Sequence, residues 1–141
     1  MTIDGPSSAP VIALIDDEED VLTYFRIALE DHGYRVVSTT EPSTALVLLE
    51  NSKPSLICLD LLMPEQTGMS FYASLSRHPR LKDVPVVILS GLAVRNDLPR
   101  MLEEAGGLPA PARFVEKPGE IDQFLAMVDE LVGRSAPGGG P

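Results

Sequence analysis

The sequence predicts a single doubly wound α/β domain: a five-stranded parallel sheet with helices on both faces. Three observations carry this expectation. Five short apolar runs alternate with five helix-like segments, and strands joined through helices run parallel with right-handed crossovers. The central runs are apolar at every position, as in a strand covered on both faces. Finally, 141 residues, 44% apolar and 23% charged, suffice for one substantial core and stand far from a disordered polyelectrolyte.

Taken in order, Val11-Ile12-Ala13-Leu14-Ile15 is the first strand, stopped by Asp16-Asp17-Glu18-Glu19-Asp20. Val21, Leu22, Phe25 and Leu29 then recur at helical spacing, with acids in the first turn where the helix dipole favours them and Gly33 as the stop. Tyr34 to Thr39 is the second strand. Pro42 opens a helix through Leu46, Leu49 and Glu50, at a position where a missing N–H costs nothing. Leu56 to Leu59 is the third strand, ending in Asp60, and a turn-rich loop through Pro64 and Gly68 leads to a helix over Met69 to His78. Val84 to Leu89 is the fourth strand, followed by Ser90-Gly91. Asp97 can cap a short fourth helix, 98–105, with Pro99 in its first turn. Gly106 to Ala112 is an extended excursion. Arg113 to Glu116 is the fifth strand, and Ile121, Phe124, Leu125, Val128 and Leu131 stripe the last helix. Residues 1–9 and 133–141 read as Gly/Pro-rich tails around a domain at 10–132.

The charge balance excludes some functions. With 21 acidic against 11 basic side chains and a net charge of −10, whole-surface attraction to nucleic acid or anionic lipid is not expected. One cysteine permits no internal disulfide, and no Cys/His cluster has zinc spacing. There is no signal-peptide pattern at the start and no apolar run near the roughly eighteen residues a spanning helix needs. A soluble, cytoplasmic domain is expected.

In a doubly wound sheet, ligands sit at the carboxyl ends of the strands beside a reversal of strand order. There the sequence places Asp16 and Asp17, Asp60, Ser90 and Lys117. Each alone has an ordinary explanation: a helix cap, a turn aspartate, a loop serine, a solvated lysine. Together they form a set of hard oxygen donors suited to Mg²⁺, with a lysine and a hydroxyl able to hold phosphoryl oxygens.

The same residues carry a family resemblance over roughly residues 10–132. Asp16-Asp17-Glu18, Asp60-Leu61-Leu62-Met63-Pro64 with Gly68, Ser90-Gly91, and Lys117-Pro118 preceded by Phe114 resemble the motifs of response-regulator receiver domains of the CheY-like kind. The resemblance implies a flavodoxin-like (βα)5 fold and a bacterial two-component signalling role. Asp60 would accept a phosphoryl group from a sensor histidine kinase or histidine phosphotransfer protein. Asp17 and Asp60 would bind Mg²⁺ directly, Asp16 through water, and the backbone carbonyl of Leu62 would complete the protein ligands. Lys117 and Ser90 would hold phosphoryl oxygens. Ser90 would be pulled inward and Phe114 would rotate into the space vacated, changing the face formed by the fourth helix, fifth strand and fifth helix for a downstream protein. The chain would act on no substrate beyond its own aspartate.

Two features fall outside that pattern, and other readings compete with it. The segment from Ser90 to Lys117 is long, which suggests a changed output face or a neutral insertion. Leu62 and Leu92, two residues past Asp60 and Ser90, cannot orient an attacking water, so slow loss of the phosphoryl group is expected. The alternative function is a pseudo-receiver, an interaction module that is never phosphorylated. A phosphatase of the haloacid-dehalogenase type needs Asp-x-Asp after its first strand, which is absent here. No GxGxxG or Walker glycine pattern follows any strand either.

Overall fold

The computed structural model describes residues 9–61, 67–117 and 120–133. Most of both expected tails lies outside the described residues, as do Leu62 and Pro118. The elements are β1 Val11–Ile15, α1 Glu19–Asp31, β2 Arg35–Thr39, α2 Pro42–Ser52, β3 Leu56–Leu59, α3 Thr67–Arg77, β4 Val86–Ser90, α4 Leu92–Glu104, β5 Arg113–Glu116 and α5 Ile121–Val132. The strands pair in parallel in the order β2-β1-β3-β4-β5. The expected doubly wound sheet is therefore present, and strand order reverses at β1 and β3.

The wholly apolar strands are explained by two cores, one on each face. Ala13, Ile15, Ile57, Leu59 and Ile88 pack with Leu49, Phe71, Leu75, Val94 and Leu98 from α2, α3 and α4. Their sequence neighbours Ile12, Leu14, Leu56, Cys58, Val87 and Leu89 pack with Leu22, Phe25, Leu29, Phe124 and Val128 from α1 and α5. Strand alternation sends successive side chains to opposite faces, so a strand buried on both sides must be apolar throughout. The rings of Phe25 and Phe124, 4.7 Å apart, join α1 to α5.

Cys58 lies on the central strand in this second core, and burial pushes its thiol up to about 12. The thiolate is the reactive form. A thiol reagent such as DTNB at pH 8 is therefore expected to leave the native chain unlabelled over an hour and to label one equivalent in guanidinium. Rapid native labelling would place Cys58 in a solvent-reachable position.

The helix stops follow the sequence closely. Gly33, φ 97°, continues the chain past α1, and Pro42 occupies the first turn of α2. Several other boundaries shift by a residue or two. Ser90, expected just past the fourth strand, is the last residue of β4.

The fourth helix differs more. It begins at Leu92, behind Gly91, and Pro99 lies inside it. Proline in a helix interior costs about 3 kcal/mol through the lost N–H and the clash with the carbonyl four residues earlier. Here Val94, Leu98 and Leu102 recur every four residues and are all buried, and three such side chains contribute more than that cost. Asp97 does not cap the helix; it pairs with Arg100, which also holds Glu104.

Beyond α4, Gly106 and Gly107 have φ of 108° and 76°, and the N–H groups of Gly107 and Leu108 return to the Leu102 carbonyl. Leu108 packs against the first core. The Tyr72 hydroxyl on α3 donates to the Pro109 carbonyl at 2.6 Å. The excursion is thus seated on α3. No helix among the described residues is long and apolar enough to cross a membrane.

Candidate functional site

Hydrogen bonding continues one residue past three of the strands and fixes the edge on which the site is built. The N–H of Asp16 donates to Thr39 O at 3.3 Å, that of Asp60 to Ile15 O at 3.0 Å, and that of Lys117 to Ser90 O at 2.9 Å. Each of these three polar residues is therefore held by the backbone of a neighbouring strand. Asp16, Asp60 and Ser90 are all buried.

The side chains form a connected set of contacts. Asp60 Oδ1 accepts the Ser90 hydroxyl at 2.7 Å, and its Oδ2 accepts Lys117 Nζ at 3.2 Å. Lys117 Nζ also donates to Asp16 Oδ2 at 2.7 Å and lies 3.6 Å from Glu18 Oε1. Asp16 Oδ1 accepts the N–H of Glu18 at 3.0 Å. That bond folds the acidic run into an Asx turn, which keeps Asp16 inward while Asp17 and Glu18 stand exposed.

The electrostatics follow from burial against pairing. Loss of water raises the Asp16 carboxyl above its usual range, and the Asp60 charge adds to this, although Lys117 and the Glu18 N–H act in the opposite direction. Burial alone would lower Lys117. Its hydrogen bonds and charge interactions with Asp16 and Asp60 outweigh that, and the ammonium is held above its ordinary value.

The donor set fits the ion expected from the sequence. Carboxylate oxygens of Asp16, Asp17, Glu18 and Asp60 lie within 4.8 Å of one another. Oxygens sharing one Mg²⁺ at about 2.1 Å lie at most about 4.2 Å apart, so only a small closure is needed. Among the described residues, four carboxylates gather around Lys117, more negative than positive charge. Hard, anionic oxygen ligands of this kind suit Mg²⁺.

Of the residues expected at the site, Asp16, Asp17, Asp60, Ser90 and Lys117 meet here. Leu62 and the side chain of Leu92 lie outside the described residues. Phe114 is half-buried against the first core. It pairs with Ile88, as Glu116 pairs with Ser90, so it shares a face of the sheet with Ser90, one repeat along. The Ser90 hydroxyl donates to Asp60. Glu18 had no assigned role in the sequence reading. The signal was present in the unbroken Asp-Asp-Glu run, but which acids face the site depends on the Asx turn.

Comparison with known proteins agrees with the geometry. Residues 12–129 match the family model described as the response regulator receiver domain. Polar-differentiation response regulators DivK of Brucella anthropi and Brucella ovis are each 26% identical over 122 residues, covering 86% of this chain and 95% of theirs. Among solved structures, the signal receiver domain of a signal transduction histidine kinase from Syntrophus aciditrophicus aligns with a TM-score of 0.75 and 27% identity, covering 89% of this chain and 91% of that one. Vibrio cholerae chemotaxis protein CheY4, at 18% identity and a TM-score of 0.74, covers 88% and 99% and shares the fold. The chain belongs to the response regulator receiver domain family.

Proposed function

We propose that the chain is a phosphorylation-controlled switch that accepts a phosphoryl group on Asp60 from a phosphohistidine of a sensor histidine kinase or histidine phosphotransfer protein. The observation that carries this reading is the held carboxylate. Asp60 is buried at the reversal of strand order, with Ser90 on one oxygen and Lys117 on the other. In the transfer an Asp60 oxygen attacks phosphorus, a P–O bond forms as the P–N bond breaks, and the bond's electron pair leaves with the ring as neutral imidazole, which keeps the proton already on its other nitrogen. Lys117 and Ser90 shift their hydrogen bonds from the carboxylate to phosphoryl oxygens. Little covalent assistance is required, so positioning and charge stabilisation supply the catalysis. Asp16, Asp17 and Asp60 would hold Mg²⁺, which when bound supplies charge neutralisation for the phosphoryl oxygens. The chain turns over nothing beyond its own aspartate.

The output follows from position. Ser90, hydrogen-bonded to Asp60, and Phe114 share a sheet face beside α4, and a phosphoryl group drawing on Ser90 biases the packing of Phe114. The face made by α4, β5 and α5 then changes for a downstream protein. The reading places the chain in the cytoplasm, with the histidine phosphodonors.

The test is phosphate incorporation. With Mg²⁺ and acetyl phosphate, intact mass is expected to rise by one phosphate in wild type, with no rise in EDTA or in Asp60→Asn. Absence of any adduct, also with a phosphorylated kinase as donor, would favour the pseudo-receiver.

A further inference from the structure

We infer that Gly68 is a positioning residue for the phosphoacceptor: by having no side chain, it lets the first turn of α3 rest directly on the backbone of Asp60 and Leu61 and so fixes where the Asp60 carboxylate stands. The inference rests on the switch reading above. A Cβ at Gly68 would fall 2.6 Å from Leu61 Cα, 2.6 Å from Leu61 O and 2.7 Å from Asp60 O. Ordinary carbon contacts lie at about 3.5–4.0 Å. All three neighbours are backbone atoms, so none can swing aside as a side chain could. Gly68 is not among the positive-φ glycines; the requirement here is space.

Neither partner yields easily. The Asp60 N–H is bound to Ile15 O on β1, and Leu61 is buried. On the other side, α3 is fixed by Phe71, Tyr72 and Leu75 in the first core and by the Tyr72 hydroxyl on Pro109. A methyl group at position 68 therefore forces a displacement of about 1 Å at the contact, estimated from the shortfall below ordinary contact distance. The Asp60 contacts to Ser90 and Lys117, 2.7 and 3.2 Å, do not survive such a shift with good geometry. Misplacement of this size costs about 100-fold in rate for reactions that depend on positioning.

The experiment compares wild type, Gly68→Ala and Ser74→Gly, the last on the exposed side of the same helix. Ser74→Gly weakens α3 without displacing its start. Thermal unfolding in EDTA gives the folded fraction. Amide NMR titration with Mg²⁺ alone gives Kd, and intact mass with acetyl phosphate gives the incorporation rate. Expected for folded Gly68→Ala is a Mg²⁺ Kd raised at least tenfold and incorporation slowed about 100-fold, with Ser74→Gly within twofold of wild type in both. A Gly68→Ala Kd and rate within twofold of wild type at equal folded fraction would overturn the inference, as would equal losses in Ser74→Gly. If Gly68→Ala does not fold, hydrogen exchange on wild type decides. Mg²⁺ is then expected to slow exchange across residues 68–71 together with Asp60 and Leu61, and protection confined to Asp60 and Leu61 would overturn it. A wild type that binds Mg²⁺ yet takes no phosphate from any donor defeats the switch reading instead, and the Kd comparison still decides Gly68.

Discussion

Lys117→Met is expected to destabilise the chain in EDTA by about 3 kcal/mol at neutral pH while tightening its hold on Mg²⁺. Lys117 lies against both Asp16 and Asp60, and removing one partner of a buried ion pair costs about 3–5 kcal/mol because the other charge stays behind. The low end applies because Lys117 keeps 18% of its side-chain surface exposed. The same lysine competes with a cation for those oxygens. Without it, Mg²⁺ is expected to bind several-fold tighter and to restore more stability than in wild type through mass action. Phosphate incorporation is expected to fall about 100-fold or more, since a charged donor to the phosphoryl group is gone.

The pH dependence has a definite sign. Asp16 is raised above its ordinary 3.8, first by burial. Its contribution to stability is therefore fully present below the unfolded value and lost as pH rises through the folded one. In Lys117→Met the folded value rises further, so this loss extends to higher pH. Urea unfolding across pH 4–8, with EDTA and with Mg²⁺, measures all of this. Equal stability of variant and wild type in EDTA would show that the Asp16–Lys117–Asp60 contacts contribute little.

The parts of this site that could be read from sequence are those set by strand periodicity. Once β1, β3 and β4 are identified from uninterrupted apolar runs and β5 from the short Phe114-Val115 pair before Lys117, a parallel sheet brings their carboxyl ends to one edge, and Asp16, Asp60, Ser90 and Lys117 must meet there. What periodicity does not carry was missed or misplaced. The start of α4 was put too late because Pro99 looked like a first-turn proline, yet burial of Val94, Leu98 and Leu102 outweighs its cost. The role of Glu18 depends on an Asx turn of two residues. The closeness of Gly68 to the backbone of Asp60 and Leu61 is a tertiary contact with no local pattern. His32 and His78, just past the ends of α1 and α3, pair with Asp129 and Glu50, which lie far away along the chain. Asp129 did leave a trace: it sits four residues after Leu125 and one after Val128, on the edge of the apolar stripe of α5, where a carboxylate needs a partner.

That partner set is the basis of the second large effect. Asp129 is buried, and its two oxygens are engaged separately, one by the Tyr34 hydroxyl and the other by His32 Nε2 at 2.9 Å. The carboxylate thereby ties α5 to the end of α1 and the entry to β2. Asp129→Ala is expected to cost about 3 kcal/mol, since hydrogen bonds to a charged group are worth about 1.5–3 kcal/mol and Tyr34 is left with a buried hydroxyl. In a chain of this size that corresponds to a fall of about 10 °C in Tm. Tyr34→Phe in the Asp129→Ala background removes the hydroxyl that has lost its Asp129 acceptor, so the double variant is expected to lose less than the sum of the two single losses. This cluster is at the opposite end of the sheet from Asp60, so phosphate incorporation per folded molecule should stay within twofold of wild type. Denaturation of the four members of the cycle, with intact-mass assays on each, separates the two effects. Strict additivity would mean that Tyr34 and Asp129 stabilise the fold independently. A loss of incorporation in the folded single variant would mean that the α1–α5 contact reaches the phosphoacceptor, because nothing else about that variant touches the carboxyl edge of the sheet.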